Sequence, residues 1–399
     1  MISIEEARRV ILAACAVLPS TTLLLGQALG CVTVGPVVAG HDVPSFPNSA
    51  MDGFAVRAAD TASAPVTLDV VGTAAAGAAP GIEVGPGQAV RIMTGAVVPP
   101  GADAIVMVER TSPGPGAGVT IEVPASHGDH VRHPGEDLRA GQELFEPGTE
   151  LGPGHLGVLA SVGLETVEVV PPARVGVLST GDELMSGPGD LRPGQIRDSN
   201  RPMLLALVAR AGCVPVDLGT APDDEAAITA GIERGVASCD AILTSGGVSV
   251  GDFDYVKTVL DRLGDMQWWQ VAVRPAKPLA FGTVAGMPVF GLPGNPVSSM
   301  VSFELFARPA LRQMTGHQEL FRPQVPAVAD EALRRRPDGK LHLVRVVATT
   351  DDDGRLHVRS SGGQGSHLLR AMALANALAL LPDGNGVAEG GTVKVMLLT

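Results

Sequence analysis

Three glycine loops constrain the fold of this chain more than any other feature of its sequence. The segments at residues 245–252 (SGGVSVGD), 177–184 (VLSTGDEL) and 291–298 (GLPGNPVS) share one pattern of apolar run, glycine and helix-like continuation. Around the first of them, residues 241–243 predict a strand and residues 255–263 predict a helix. A strand that gives way to glycines and then to a helix directs backbone N–H groups at one point. The pattern predicts an anion-binding α/β domain, although glycine alone also serves ordinary tight turns.

The segment from residue 174 to residue 317 alternates between predicted strands and predicted helices. This alternation is typical of a mostly parallel sheet covered by helices, which binds ligands at the carboxyl ends of its strands. All three glycine loops fall at such strand ends. The predicted strands are residues 175–178, 214–218, 241–243 and 289–292, and the predicted helices are residues 202–211, 224–236, 255–263 and 296–314.

The rest of the chain predicts strand-rich domains and a small helical one. Residues 46–147 carry alternating runs between Gly/Pro turns, at 66–71, 89–93, 104–108 and 119–123, and predict an inserted β domain. Residues 1–45 and 148–173 predict an N-terminal helical and linking domain. Its helices are 5–17, capped by Ser3 with Glu6, and 154–161, followed by a strand at 166–170. Residues 318–399 predict a C-terminal β domain with one helix-like stretch, 368–375, and a last strand, 392–398. The fold class is therefore multidomain α/β plus β.

Composition excludes several classes of protein. A net charge of −13 and 3% aromatic residues argue against nucleic-acid binding, which needs basic tracks and stacking rings. No apolar stretch reaches the roughly 20 residues of a membrane span, and acids precede the first arginines, which disfavours a secretion signal. The 4 cysteines lack paired spacing and predict reduced thiols. We therefore expect a cytoplasmic protein.

Acidic side chains cluster at the predicted strand ends of the α/β domain. They are Asp182, Glu183, Asp223, Asp252 and Asp254. Acids at helix starts often serve only as caps. Several at one sheet edge repel one another unless a cation or proton lies among them. The arrangement favours Mg²⁺ held by oxygen ligands beside a phosphate.

Cations occur where an anion site would need them. Arg274 and Lys277 flank Pro275, with Pro278 following, and the prolines stiffen the loop that carries both charges. Without other observations, a surface turn with two solvated charges is the better interpretation. Arg345 lies in a predicted strand, and a lone strand arginine is more often a surface residue than a ligand.

Two polar turns and a histidine loop stand out in the inserted β domain. The segment 44–57 places Ser49 and Asp52 in a polar turn, and Thr94 lies at a strand end in residues 93–106. Turn chemistry alone could explain both segments. His127, His130 and His133 lack the spacing of structural zinc sites, which leaves Arg132 and Asp137 as the more informative residues of that loop.

The motifs together resemble those of the molybdopterin molybdenumtransferase family, the bacterial MoeA type, which is related to the E domain of gephyrin. In chain order they are NSAMDGFA, MTGA, GED, STGDEL, SGGVSVGDFDYVK, RPAKP, GLPGNPVS and SGGQGSHLLRAMALANALALLP. The resemblance spans essentially the whole chain. It implies an enzyme that inserts molybdate into adenylylated molybdopterin with Mg²⁺, releasing AMP and completing the molybdenum cofactor. It also implies a homodimer whose β domain faces the partner subunit's active site, an adenylyltransferase upstream and molybdoenzyme acceptors downstream.

The resemblance also implies roles for individual residues. The catalytic set is Asp52, Thr94, Arg132, Asp137, Glu183, Asp223 and Asp254. The molybdate set is Ser249, Arg274, Lys277, Pro278, Ser298, Arg345 and Ser366. The set that binds the pterin nucleotide is Thr180, Gly181, Ser245, Gly246, Gly247, Gly251, Pro293, Gly294, Asn295 and Pro296. The Mg²⁺ set is Asp182, Glu183 and Asp254.

Departures from the family pattern fall around the cationic loop. Arg274 stands where lysine is common, Ala276 replaces a common glycine, and Gln270 stands where some bacterial relatives carry lysine. Arginine keeps the charge but offers a planar fork instead of a point charge. These changes leave open a preference for tungstate over molybdate.

Two other functions compete with molybdate insertion. The first is adenylylation of molybdopterin, the preceding step, which only an enzyme that consumes ATP would perform. The inserted β domain and the C-terminal β domain speak against it. The second is a binding or scaffold protein without catalysis, which the retained acids and cations disfavour.

Overall fold

The computed structural model describes residues 1–78, 81–247, 255–352 and 354–398. These residues form two compact units. The first comprises Met1–Leu23, Gly30–Val34 and Glu168–Thr399, and the second comprises Leu24–Leu29 and Gly35–Val167. In the described part of the chain, no helix combines the length and apolar character that crossing a bilayer requires.

The central sheet of the first unit is parallel on one side and antiparallel on the other. Its order is Val214–Ala221, Arg174–Thr180, Ala241–Ser245, Met287–Leu292, Pro278–Val284 and Gly264–Gln270. The first four of these strands run parallel, and the last two are antiparallel additions. The predicted mostly parallel α/β fold is confirmed. The antiparallel pair was not predicted: the prolines and cations at 274–278, between the two strands, indicated a loop, whereas proline is tolerated at the first position of a strand, as at Pro278.

Helices cover both faces of this sheet. Neighbouring strand residues point to opposite faces, so each strand contributes to two cores. Leu243 and Phe290 face one core and Ile242 and Val289 face the other, and each is fully buried. Burying one such side chain contributes about 1.5–3 kcal/mol. The α-helices of the first unit are Ile4–Ala14, Asn200–Arg210, Glu225–Ser238, Tyr255–Leu263, Pro296–Ser302, Arg308–Met314 and Leu369–Leu374.

Two of the predicted helices differ in detail from the observed ones. Ser3 caps the first helix as predicted, because its Oγ accepts the Glu6 N–H at 3.0 Å. That helix ends at Ala14, where Cys15 turns extended, and not at residue 17. The predicted helix at 296–314 contains a π-helical turn, Phe303–Ala307, between its two α-helical parts.

The C-terminal region closes into a β-barrel. Five strands follow one another around the barrel, in the order Leu341–Thr350, Leu356–Ser360, Gln324–Ala329, Thr392–Leu397 and Ala377–Leu381. The barrel is closed because the last of these strands pairs again with the first. Buried residues such as Val346, Val358, Ala379 and Val395 fill its interior. Two shorter pairs belong to this region, Val273–Arg274 with the barrel and Leu333–Arg334 with Gly386–Val387. Elsewhere, Leu184–Met185 pairs with Ile196–Arg197, and Thr166–Val170 lies between Thr21–Leu24 and Val32–Thr33.

The second unit is built on strands, with one α-helix, Pro153–Ser161, in its described residues. Its main sheet has the order Ala104–Met107, Gly53–Val56, Gln88–Ile92, Val66–Ala74, Gly118–Ile121 and Thr111–Pro113. Two short ladders join Asn48–Ser49 to Val131–Arg132 and Val37–Val38 to Glu143–Phe145. Short 3₁₀ turns lie at Leu25–Gln27, Ala58–Thr61 and Val108–Arg110.

Candidate active site

The three glycine loops meet at one cavity on the carboxyl edge of the parallel strands. The cavity has a volume of about 640 Å³. The structure brings together nearly every residue predicted to bind the nucleotide. The cavity wall contains Thr180, Gly181, Ser245, Gly246, Gly247, Pro293, Gly294, Asn295 and Pro296. Gly251, from the same prediction, lies outside the described residues, as do Ser249, Asp252 and Asp254.

Glycine is required at two positions of this wall. Gly246 has a φ of +104°, and a Cβ there would lie 2.8 Å from the carbonyl oxygen of Thr180. Gly181 has a φ of +147°, and a Cβ would lie 2.4 Å from a carboxylate oxygen of Glu183. A side chain at position 246 would push its loop away from the backbone of Thr180, whereas a side chain at position 181 would displace the Glu183 carboxylate of its own loop. Gly246 therefore keeps two neighbouring strand ends close enough to share one ligand, and Gly181 leaves room for the Glu183 carboxylate.

Acidic residues tie the glycine loop at 177–184 to the loop that carries Asp223, and two of them face the cavity. The Asp223 N–H donates to Asp182 Oδ1 at 3.0 Å, and the Asp182 N–H lies 3.5 Å from Asp223 Oδ2. Glu183 and Asp223 line the cavity, whereas Asp182 is not part of its wall. The described residues contain no cluster of three or more metal-ligating side chains. One or two carboxylates beside a phosphate nevertheless form a donor set that suits Mg²⁺.

Asn200 is a wall residue that sequence analysis missed. It begins the helix Asn200–Arg210, and its Nδ2 donates to Ser245 Oγ at 2.7 Å and to the Gly294 carbonyl at 2.6 Å. Its Oδ1 is buried without a hydrogen-bond partner among the described residues. One amide thus holds two of the three glycine loops. The only sequence signal was an asparagine at a helix start, which commonly indicates a cap.

The cationic loop divides between two cavities. Pro278 lines the glycine-loop cavity, but Arg274 lines a different one beside the barrel. Lys277 is exposed, and its carbonyl accepts the Val271 N–H at 2.7 Å. Ala276 is buried with a φ of +76°, a conformation that glycine adopts at lower cost. A backbone hydrogen bond and a buried left-handed residue therefore shape this loop, whereas the stiffness expected from its prolines stays a prediction.

Arg345 is fully buried, so the expectation of a surface residue is wrong. Its Nη2 donates to the carbonyls of Gly363 at 2.8 Å and Gly365 at 3.2 Å. Nε and Nη1 are buried without partners among the described residues. Burial lowers the pKa of the guanidinium, which still carries its charge at neutral pH. The arginine therefore holds two loop carbonyls, and within the described ranges two of its donors are left for a ligand.

The loop shaped by Arg345 contacts the helix that follows the third glycine loop. The Val297 N–H donates to the carbonyl of Ser366 at 3.1 Å. Ser298, the next residue, is buried in the same helix. The structure therefore connects Arg345, Ser366 and Ser298, which come from distant parts of the sequence. Their predicted role with molybdate remains a prediction.

In the second unit, Asp52 and Thr94 are joined by hydrogen bonds, a contact that the sequence did not predict. Asp52 Oδ1 accepts the Thr94 N–H at 2.7 Å and its Oγ1 at 2.8 Å. These hydrogen bonds lower the pKa of the exposed Asp52 carboxyl. Ser49 locks the two turns, because its N–H donates to Ala96 and its carbonyl accepts from Gly95. The two motifs form one interlocked feature and not separate turns.

Arg132 and Asp137 line a third cavity, of about 480 Å³, with Glu136 and Asn48. Arg132 is held by the ladder to Asn48, and the Asp137 N–H donates to Val43 at 3.0 Å. The predicted residues of this loop therefore share one concave surface of the second unit.

A parallel sheet with three glycine loops at its carboxyl edge, followed by a closed barrel, defines a multidomain α/β protein of the cofactor-binding class. The chain matches the MoeA N-terminal region (domain I and II) over residues 2–163. It matches a probable molybdopterin binding domain over residues 176–313 and the MoeA C-terminal region (domain IV) over residues 327–398.

Similar proteins extend over the whole chain. Molybdopterin molybdenumtransferase 2 of Mycobacterium tuberculosis is 43% identical, and the match covers 100% of both chains. Molybdopterin molybdenumtransferase of Haemophilus influenzae is 36% identical over 99% of this chain and 98% of its own. The solved structure of the molybdopterin biosynthesis MoeA protein from Pyrococcus horikoshii aligns with a TM-score of 0.79 at 27% identity and covers 100% of both chains. The chain belongs to the MoeA family, which confirms the resemblance found in its motifs.

Proposed function

We propose that this protein is a molybdopterin molybdenumtransferase, which inserts molybdate into adenylylated molybdopterin and releases AMP. The observation that carries the proposal is the convergence of three glycine loops on one cavity of about 640 Å³. Backbone N–H groups and a helix start in such a wall suit a phosphate. The full-length similarity to named molybdenumtransferases supports the choice of this reaction over other phosphate chemistry.

The cavity wall supplies groups for the nucleotide end of the substrate. Glu183 and Asp223 would hold Mg²⁺, which supplies charge neutralisation at the phosphates when bound. Asn200 fixes the separation of the Ser245 and Gly294 loops and so orients the nucleotide between them. Because Asp182 pairs with the Asp223 backbone, its main role would be to hold the acidic loop in place.

The oxyanion would meet cations and hydroxyl groups of the first unit. Lys277 is exposed in the same loop as Pro278 of the cavity wall, and Arg345 has two donors that no group in the described part of the chain accepts from. Charge-assisted hydrogen bonds from such donors suit molybdate, a doubly charged oxyanion. Ser298 and Ser366 would add hydroxyl donors, as the family resemblance implies.

The proposal extends to a cytoplasmic homodimer that works between an adenylyltransferase and molybdoenzyme acceptors. In this arrangement Asp52 and Thr94 of one copy serve the active site of a second copy. Their exposure and fixed geometry support such a role. Mixing an Asp52→Ala chain with a Lys277→Ala chain should restore part of the activity. A monomer at micromolar concentration in sedimentation would contradict the arrangement.

The direct test is AMP release from adenylylated molybdopterin, measured with and without molybdate. We expect release that depends on molybdate and Mg²⁺ and no consumption of ATP, which separates the reaction from adenylylation. Lys277→Ala should raise the molybdate requirement by about one to two orders of magnitude, since each 1.4 kcal/mol is tenfold. Lys394→Ala, an exposed lysine of the barrel, is the matched control. Absence of AMP release by the intact chain would refute the proposal.

A further inference from the structure

A second cavity lies beside the barrel and shares no wall residue with the glycine-loop cavity. It has a volume of about 470 Å³, and its wall includes Arg274, the segment 331–336 and His342. The ladder between Val273–Arg274 and the barrel strand places Arg274 opposite His342. The proposed molybdate insertion uses none of the arginines at 334–336.

Buried and exposed residues alternate along 333–336, a segment that begins with the short strand Leu333–Arg334. Leu333 and Arg335 are buried, whereas Arg334 and Arg336 are exposed. This alternation places Arg334 and Arg336 on the same side of the segment. Both side chains line the cavity together with Arg274.

Arg335 anchors the segment between these two arginines. Its Nη1 donates to the carbonyls of Lys340 at 2.7 Å, Leu381 at 2.9 Å and Pro382 at 2.8 Å. Its Nη2 pairs with Asp338 at 2.8 Å and with a second acid, Asp383, at 2.7 Å. The charge of Arg335 is therefore satisfied internally, and its neighbours on either side are held in fixed positions.

The two acids of the cavity wall, Glu331 and Asp338, do not neutralise Arg274, Arg334 and Arg336. Across the described residues, the side chains of Arg274, Arg334 and Arg336 take part in no hydrogen bond or ion pair. Asp338 is already bound by Arg335, Lys340 and His342.

The other acid of the wall, Glu331, accepts the Ser360 N–H at 2.6 Å. The whole chain carries a net charge of −13, so a cavity with three unpaired guanidinium groups departs from the general surface. Concave surfaces of one sign concentrate ions of the opposite sign.

We propose that this cavity binds a tetrahedral oxyanion of the molybdate, sulfate and phosphate class through Arg274, Arg334 and Arg336. The planar guanidinium fork matches pairs of oxyanion oxygens, which a lysine ammonium does not. Arg274 lies four positions before Pro278, a wall residue of the glycine-loop cavity, so the oxyanion would be held next to the proposed reaction site but outside it. The choice of molybdate as the natural ligand rests on the proposed function, whereas oxyanion binding does not.

The test combines location of a heavy oxyanion with a charge-matched control. Crystals of the full chain soaked in tungstate should show an anomalous peak among the three arginines. Calorimetric titration with molybdate and with sulfate should show at least tenfold weaker binding at this site in an Arg334→Gln, Arg336→Gln double variant. Tenfold corresponds to about 1.4 kcal/mol. The control is Arg359→Gln with Lys394→Gln, which removes two exposed charges from barrel strands outside the cavity.

The outcomes separate this inference from the proposed function. Normal binding by the control pair and loss by the double variant would support the site, provided that circular dichroism shows both variants folded. An equal loss of binding in the double variant and in the control pair would show that general surface charge attracts the anion, and would overturn the proposed site. A missing tungstate peak in the parent would also overturn it, even if AMP release were normal. AMP release at saturating molybdate tests the proposed function alone.

Discussion

Replacing Arg345 with methionine should abolish the stabilisation that molybdate provides at Arg345 while changing the stability of the ligand-free protein little. The substitution removes two charge-assisted hydrogen bonds, from Nη2 to Gly363 at 2.8 Å and to Gly365 at 3.2 Å. Each contributes about 1.5–3 kcal/mol. It also removes two buried donors, Nε and Nη1, that have no partner among the described residues. Leaving such a donor unpaired costs about 1–3 kcal/mol. The opposed effects are similar in size, so the free energy of unfolding should change by less than about 4 kcal/mol.

The stability gained on adding molybdate distinguishes the parent from the Arg345→Met variant. A ligand at 100 times its Kd stabilises the folded state by about 2.7 kcal/mol. The parent should gain this amount from binding at Arg345, and the Arg345→Met variant should not. Molybdate held by Arg274, Arg334 and Arg336 stabilises both proteins equally, so the difference between them isolates the buried arginine.

The assay is urea denaturation followed by circular dichroism, with and without molybdate. The control is Arg359→Met, which removes an exposed arginine from the neighbouring barrel strand. It should retain the full gain of the parent. If Arg345→Met gained as much stability from molybdate as the parent, the unpaired donors would have no role in oxyanion binding and the reasoning would be refuted. A ligand-free variant unable to fold would show instead that the carbonyl contacts dominate.

Three further predictions follow from single contacts. Asn200→Ala should weaken binding of the adenylylated substrate about tenfold by releasing two loops, with circular dichroism unchanged; unaltered affinity in titration calorimetry would contradict this. Thr94→Val should raise the pKa of Asp52 toward its ordinary value, because valine removes the hydroxyl that donates to the ionised carboxylate. The hydrogen bonds from Thr94 stabilise the protein while Asp52 is ionised, and this stabilisation is lost as the pH falls through the lowered pKa. Carboxyl NMR titration measures this, and an unchanged pKa would count against it. Burial raises the pKa of Cys15 and of Cys213 to about 12, so iodoacetamide at pH 8 should modify them only on unfolding; rapid labelling of the folded chain would show the packing to be wrong.

Local patterns in the sequence determined much of the fold. The helix Tyr255–Leu263 and the strand Thr166–Val170 have the predicted bounds, because hydrophobic periodicity reports which face of an element is covered. The Ser3 cap was predictable because its hydrogen bond spans only three residues. The glycine loops were equally accessible, since a turn between a strand and a helix needs particular residues at fixed positions. Their motifs also sufficed to predict the family.

Tertiary structure alone decided which of these residues share a site. Arg345 looked like a surface residue until barrel closure buried it, because burial depends on strands far away in sequence. Pro278 and Arg274 are near neighbours in the chain, yet they line different cavities. Asn200 reaches loops 45 and 94 residues away, a distance at which no local pattern carries information. Propensity and periodicity are properties of adjacent residues, whereas pairing, burial and ligand geometry depend on segments that meet only after the chain has folded.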